Sequence, residues 1–271
     1  MKKKLVFAVI ILIILVGTLL VFTSKGEQMK YDKIPPRKMA DLNAEDLKKI
    51  SGMRIYFGHQ SVGGGIVKGL EVLDGKLEAL NLNIVETDNL LDHEGPVFAH
   101  SRVGENTKPK SKVDHFVKIM ENGLQDKVDV ALFKFCYADV NTNTDVKAEF
   151  DYYKTSLEKL QQKYPNVIIV HSTVPYYRKS GGFKGIIKRI INRDYNLGRD
   201  RFNQLMRAHY QPGHLFDLGV IEATYPDGRR EQGDKSAYAL APIYTHDGGH
   251  LNDKGKEMVA IQFLHFLASL K

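Results

Sequence analysis

The stretch RIYFGHQSVGGG, residues 54–65, decides the fold of this chain. Its first five residues form an apolar run of strand length, and its glycines lead into a stretch of helical periodicity. Four more such runs follow: LNIVET at 82–87, VDVALFKF at 128–135, NVIIVHSTV at 166–174 and HLFDL at 214–218. Helical patterns lie at 62–79, 112–122, 145–164, 184–192, 199–210 and 252–270. Apolar strands that alternate with helices predict a parallel sheet covered on both faces, so we expect a three-layer α/β/α sandwich, flavodoxin-like in type.

The composition is that of an ordinary globular protein. Of the 271 residues, 43% are hydrophobic and 26% are charged, which excludes disordered and low-complexity classes. Cys136 is the single cysteine, so the chain forms no internal disulfide. The sequence also lacks the Cys and His spacings that are typical of zinc sites. We therefore expect neither a metal nor a cofactor.

The positive charge of the chain is concentrated in two places. The formal net charge is +7, but three lysines stand at positions 2–4 and a second basic block lies between positions 178 and 207. The remainder of the chain is acidic. A basic excess confined in this way does not indicate a nucleic-acid partner.

The first 48 residues have the pattern of a membrane anchor followed by a linker. Residues 5–22, LVFAVIILIILVGTLLVF, carry no charge and as a helix would be about 27 Å long. The run is longer than the apolar core of a signal peptide, and no convincing cleavage site follows it. Because the lysines of residues 1–4 should stay in the cytoplasm, we expect a single-pass transmembrane helix, a polar linker at 23–48 and a domain at 49–271 outside the cell membrane. A cleaved signal peptide is the alternative, and it would make the domain secreted.

Ser61 is the first candidate for chemistry. It follows the first predicted strand and precedes three glycines and an apolar helix, so its hydroxyl would be exposed on a strand-to-helix turn beside backbone N–H groups. This position suits a nucleophile, and it equally suits a helix N-cap. A phosphate-binding loop is disfavoured because the pattern GxxxxGK[ST] is absent and Lys68 is displaced from its lysine position.

The second candidate lies before the last predicted helix, in THDGGHLNDKGK at 245–256. Asp247 and His250 are three residues apart, a spacing at which a carboxylate can bind one imidazole nitrogen and direct the other at a hydroxyl. The alternative is an ordinary loop in which Asp247 turns the chain and His250 packs. Asn252 is expected to cap the following helix in either case.

Together, the early GHQSVG and the late DGGHLN resemble the blocks of the SGNH/GDSL hydrolase superfamily, over roughly residues 53–271. The resemblance implies that Ser61 is the nucleophile and that Asp247 and His250 complete a catalytic triad. The first block departs from the usual Gly-Asp-Ser-Leu of the family, which places the chain in a divergent branch.

The resemblance also implies an oxyanion hole made by a backbone glycine and an asparagine side chain. Gly104 fits the glycine position, in SRVGENTKP. Where the family carries Gly-x-Asn-Asp, this chain reads FKFCYADVNTN, with Asp139 near the expected place. An ionised carboxylate there would oppose a developing oxyanion, so either Asp139 points elsewhere, or it is protonated, or Asn141 or Asn106 serves instead.

The activity implied by the resemblance is that of a serine esterase on acyl esters, with an O-acetyl group on envelope carbohydrate or a lipid ester as the expected substrate of an external, anchored enzyme. Transfer of the acyl group to a sugar hydroxyl is one alternative. A non-catalytic envelope-binding module on the same fold is another.

Overall fold

A computed structural model describes residues 34–178, 196–233 and 237–271. Its centre is a six-stranded sheet in which every strand pairing is parallel. The strands are β1 (Arg54–His59), β2 (Ile84–Glu86), β3 (Val97–Arg102), β4 (Val130–Phe133), β5 (Ile168–Ser172) and β6 (Leu215–Phe216), in the spatial order β2-β3-β1-β4-β5-β6. Because β1 is buried from Ile55 to His59 and β4 is apolar and buried throughout, both strands need helices on either side.

Helices supply both outer layers. They are α1 (Ala44–Ser51), α2 (Ser61–Lys76), α3 (Pro109–Ile119), α4 (Val146–Lys163), α5 (Leu197–His209), α6 (Leu218–Ala223) and α7 (Asp253–Ser269). One face of the sheet packs against α1, α2, α6 and α7 around Phe57, Phe98 and Phe263. The other face packs against α3, α4 and α5 around Phe116, Phe133 and Phe202. The predicted three-layer α/β/α sandwich with a parallel sheet is therefore confirmed.

A glycine brings α2 and α7 into backbone contact. A Cβ at Gly69 would lie 2.4 Å from the carbonyl oxygen of Lys256 and 2.9 Å from the Cβ of Ala260, so no larger residue fits without moving a helix. The two helices begin at the same end of the sheet, at Ser61 and Asp253. Asn252 caps α7 through a 2.9 Å hydrogen bond from the Gly255 N–H, as the sequence predicts.

Strand β3 is the main element that the sequence patterns miss. Its apolar part is short, and it ends in His100, Ser101 and Arg102, so it lacks the long apolar run of the other strands. The run predicted at 82–87 forms only the three-residue edge strand β2. Gly104 therefore follows β3, which pairs directly with β1.

The segment before position 49 contributes to the core. Asn43 caps α1 through a 2.9 Å hydrogen bond from the Asp46 N–H, and Leu42, Leu47 and Ile50 are buried against the α7 face. The chain is thus already packed on the domain several residues before position 49.

Two sequence predictions fall outside the described residues. They are the membrane helix at 5–22 and the helix at 184–192. Within the ranges that are described, no helix combines the length and the apolar character needed to cross a membrane.

Candidate active site

The candidate residues gather at the carboxyl end of β1, where the direction of winding changes. The chain leaves β1 through α2 on one face and reaches the edge strand β2 and then β3. It next crosses through α3 on the other face and reaches β4, on the opposite side of β1. Such a switch point opens a crevice between the two connections, and ligands of open parallel sheets bind in that crevice.

Ser61 is the first residue of α2, and its side chain is exposed. The N-cap is its neighbour Gln60, which has an extended backbone, so the structure places Ser61 in the first turn and not at the cap. A Cβ at Gly63 would lie 2.3 Å from the Cβ of His59, so the tight turn from β1 into α2 depends on this glycine. The Ser61 hydroxyl therefore stands at the helix N-terminus, 3.7 Å from the Cys136 sulfur.

Asp247 and His250 form the pair that their spacing predicts. Their Oδ2 and Nδ1 atoms are 2.6 Å apart, and Asp247 Oδ1 accepts 2.8 Å hydrogen bonds from the N–H groups of Gly249 and His250. Although partial burial raises the pKa of the Asp247 carboxyl, these hydrogen bonds outweigh it and hold the pKa below its usual value. The ionised carboxylate thus holds Nδ1 and leaves Nε2 as the working nitrogen of His250.

The loop that carries His250 is held by two neighbouring segments. The Arg178 N–H donates to the Gly248 carbonyl at 2.7 Å, and Gly248 has the positive φ of +87° that this approach requires. The Tyr137 ring lies edge-on to the His250 imidazole, with 6.0 Å between ring centroids, and packs on Gly249. Because Tyr137 adjoins Cys136, this packing links the histidine loop to the strand end beside Ser61. In the described part of the chain, the Ser61 hydroxyl and His250 are not hydrogen-bonded to each other.

Gly104 lies close to the turn that presents Ser61. Gln60 Nε2 donates to the carbonyl oxygens of Val103 at 3.2 Å and Gly104 at 2.8 Å, which ties the β1–α2 turn to the loop after β3. The N–H of Gly104, however, donates to His115 Nδ1 at 3.0 Å. The Gly104 N–H, which the resemblance implies as an oxyanion donor, is therefore already engaged in a hydrogen bond with His115.

The two asparagine candidates have different surroundings. Asn141 is exposed in a turn, where its Oδ1 accepts from the Asn143 N–H at 2.9 Å. Asn106 is also exposed, and its Oδ1 accepts from the Lys112 ammonium at 2.8 Å. An ammonium group needs an acceptor, so Lys112 fixes the orientation of the Asn106 amide and leaves its NH₂ available to a ligand.

The Asp139 carboxylate is buried and bonded within the protein. It is 3% exposed, and it accepts hydrogen bonds from Lys112 Nζ at 2.5 Å, from the Cys136 N–H at 2.6 Å and from the Thr107 N–H at 2.8 Å. Of the three explanations that the sequence leaves open, this arrangement favours the first, in which Asp139 points elsewhere. The carboxylate anchors the loops after β3 and β4 to each other.

Buried charged groups surround the site, and the sequence patterns did not indicate them. Lys112, Lys134, Arg199 and Glu222 are all at most 4% exposed. His59 is also buried, and its Nε2 lies 3.1 Å from His100 Nδ1. Burial, followed by the charges of His100 and Lys134, lowers the pKa of His59 to about 3, so His59 is neutral and does not compete with His250 as a base. The sequence feature that could have indicated the burial of Lys134 is its position within the mostly apolar run at 128–135.

No group of three or more His, Cys, Asp or Glu side chains in the described residues is placed to hold a metal ion.

No family model matches the sequence, and no curated protein matches it. The chain is similar to several solved structures, among them the following two. One, from Streptococcus pneumonia, is provisionally described as a platelet activating factor; it is 13% identical with a TM-score of 0.49, over 92% of this chain and 99% of the other. The second, from Parabacteroides merdae, is provisionally described as a GDSL-like lipase and is 14% identical with a TM-score of 0.45, over 80% of this chain and 96% of the other.

Proposed function

We propose that this protein is a serine esterase in which Ser61, His250 and Asp247 act as nucleophile, base and orienting acid. The observation that carries the proposal is the Asp247–His250 pair. Its carboxylate is fixed by two backbone N–H groups, and its histidine loop packs on Tyr137, next to the cysteine that contacts Ser61. A packing role alone does not require this arrangement at the crevice of a parallel sheet.

The geometry supports the following sequence of steps. His250 Nε2 takes the proton of the Ser61 hydroxyl as Oγ attacks the ester carbonyl, and Asp247 stabilises the imidazolium that forms. The N–H of Ser61, at the first position of α2, and the NH₂ of Asn106 are the donors we assign to the oxyanion. His250 then gives the proton to the leaving alcohol, and water releases the acid from the acyl-enzyme by the reverse path.

Hydrolysis is favoured over acyl transfer because the His250–Asp247 pair is half exposed in the described part of the chain. The side chains of His250 and Asp247 are 49% and 56% exposed, so water reaches the acyl-enzyme freely. We propose acyl esters as the substrate class, with O-acetyl groups on envelope carbohydrate first among them if residues 5–22 anchor the domain outside the membrane. An acetyl group that appears on an added sugar acceptor instead of as free acetate would favour the transferase.

The direct test is covalent labelling of the full-length protein, purified in a mild detergent. A fluorophosphonate probe should react with the native protein, and peptide mass spectrometry should find the adduct on Ser61. Heat-denatured protein is the control, because an unfolded serine has no base beside it. Labelling that is equal in both samples, or an adduct elsewhere, would contradict the proposal.

Asp247→Asn should lower kcat for p-nitrophenyl acetate by about 10²-fold with a smaller effect on KM. An amide in place of the carboxylate stabilises the imidazolium poorly and favours the wrong imidazole tautomer. The loss in kcat should be smaller than for a buried triad, because solvent already weakens the interaction of a half-exposed carboxylate with the imidazolium. The matched control is Asp253→Asn, which removes a fully exposed carboxylate whose one side-chain partner among the described residues is Lys256. Equal rates in the two variants would refute the role of Asp247.

Gly249→Ala should lower kcat by about 10-fold, because it displaces the histidine loop. The added Cβ would lie 2.8 Å from the Tyr137 ring and hydroxyl, so either the ring or the loop must shift. Gly213→Ala is the control, since no atom of a described residue lies within 4 Å of a Cβ there. Steady-state kinetics of both variants, and of Gly249→Ala combined with Tyr137→Ala, check the cause. If removal of the ring restores no activity, the clash is not the reason.

A further inference from the structure

Lys134 is a buried lysine that the triad mechanism does not use. It directly follows β4, where its N–H donates to the Gly58 carbonyl at 3.1 Å and so extends the pairing with β1. The residue is 1% exposed. A Cβ at Gly63 would lie 3.0 Å from the Lys134 Cε, so the side chain runs under the first turn of α2, the turn that begins with Ser61.

Among the residues that the structure describes, the ammonium of Lys134 has no direct counter-ion. Its one hydrogen bond goes to the Phe135 carbonyl at 3.3 Å, and in the described ranges no carboxylate oxygen lies within 4.0 Å of it. Lys112 differs, since it is paired with Asp139 at 2.5 Å. A buried cation at a helix N-terminus is also repelled by the positive end of the helix dipole, which destabilises the fold. Folding alone would favour an apolar residue at this position.

Several other ionisable groups lie near Lys134. They are His59, Lys112, Cys136, Asp139 and Glu222. His59 is neutral, Asp139 is paired with Lys112, and burial raises the pKa of Glu222 well above its usual value, which favours its uncharged form. Burial is also the main cause that lowers the pKa of Lys134, to about 8. Near neutral pH, Lys134 is therefore still mostly charged.

The charge lies on the protein side of the nucleophile. Cys136, two residues further along the chain, is within electrostatic range of the Lys134 ammonium, and its sulfur is 3.7 Å from the Ser61 hydroxyl. The strand end that carries these residues, 134–139, is also where the resemblance expects an oxyanion asparagine and where this chain has none. A fixed cation in a dry, low-dielectric place stabilises nearby negative charge more than a solvated one does.

We propose that Lys134 is a positioning residue for the reaction at Ser61, whose buried ammonium stabilises the negative charge that develops when the serine attacks. It acts from beneath the first turn of α2, does not touch the substrate, and complements the hydrogen-bond donors at the oxyanion. The inference rests on the proposed esterase function and adds an electrostatic component that the triad does not contain.

The test is Lys134→Met in the full-length protein, assayed with p-nitrophenyl acetate from pH 5 to 10. Methionine keeps the length of the side chain and removes the charge. We expect kcat to fall by about 10-fold or more with KM within twofold, while the melting temperature stays equal or rises. Lys118→Met, which removes an exposed lysine from α3, should leave kcat unchanged. A purely structural role would lower the melting temperature and leave kcat of the folded fraction intact, which would overturn the proposal.

The pH dependence of kcat in the unmodified protein is a second test, and it does not require that the Lys134→Met variant folds. In the unmodified protein, kcat should fall as the pH rises through about 8, because the ammonium loses its proton there. The same descending limb should persist in Cys136→Ala, which excludes the thiol as its cause, and should be absent from Lys134→Met. A constant kcat up to pH 10, with the fold intact by circular dichroism, would overturn the proposal. If Ser61→Ala is inactive and Lys134→Met is fully active, this inference fails alone; if Ser61→Ala is active, the esterase function fails first.

Discussion

Ser61→Ala should abolish esterase activity, with a loss in kcat of at least about 10⁴-fold relative to the unmodified protein. The change removes one oxygen, and with it the atom that forms the acyl-enzyme. Alanine is well tolerated in the first turn of a helix, and the only hydrogen-bond contact of the hydroxyl with a described residue is the 3.7 Å one to the Cys136 sulfur. The free energy of unfolding should therefore change by no more than about 0.5 kcal/mol.

The measurement is release of acetate from p-nitrophenyl acetate, with urea unfolding of the same samples. Ser156→Ala is a matched control on α4, because its hydroxyl makes no hydrogen bond to any described residue. Residual activity in Ser61→Ala that disappears when Cys136→Ala is added would transfer the nucleophile to the neighbouring thiol. Equal rates in Ser61→Ala and Ser156→Ala would instead favour the non-catalytic binding module.

Lys112→Met should have the largest effect on stability, with a loss of about 3–5 kcal/mol in the free energy of unfolding. The Lys112–Asp139 pair has both side chains at 0% exposure. Without the lysine, the Asp139 carboxylate stays buried with only the Cys136 and Thr107 N–H groups as partners. Two N–H groups do not offset the cost of keeping a full charge out of water.

Urea denaturation checks this loss, and a double variant identifies its cause. Asp139→Asn, combined with Lys112→Met, removes the unpaired charge but keeps an oxygen for only one of the two N–H groups, since they bond different carboxylate oxygens. A large part of the lost stability should therefore return, but not all of it. Lys118→Met on the same helix is exposed and should change stability by less than about 0.5 kcal/mol. A double variant as unstable as Lys112→Met would show that the lysine stabilises the fold through packing and not through charge.

Much of the fold could be predicted from the sequence because its central strands are long apolar runs and its helices have clear periodicity. The helices α2, α4, α5 and α7 lie within about three residues of their predicted limits. Strand β3 could not be predicted in this way, because half of it is polar and its place between β2 and β1 depends on tertiary pairing.

The site shows the same division between local and tertiary causes. The Asp247–His250 contact follows from a spacing of three residues in a turn, so the sequence predicts it. The burial of Lys112 and Lys134 depends on loops that come together from β3 and β4, and lysine is ordinarily a surface residue. The direction of the Gly104 N–H depends in the same way on His115, a residue of α3. No local pattern reports such contacts.

The contact between α2 and α7 at Gly69 makes two distant parts of the gene a single unit for engineering. The helix that begins with Ser61 and the helix that follows His250 meet at Gly69 and Lys256, eight residues and six residues beyond the two reactive side chains. In a chimera with a homologous protein, a crossover that takes one helix and leaves the other would combine mismatched surfaces at this contact. Recombination libraries should therefore inherit both helices from the same parent.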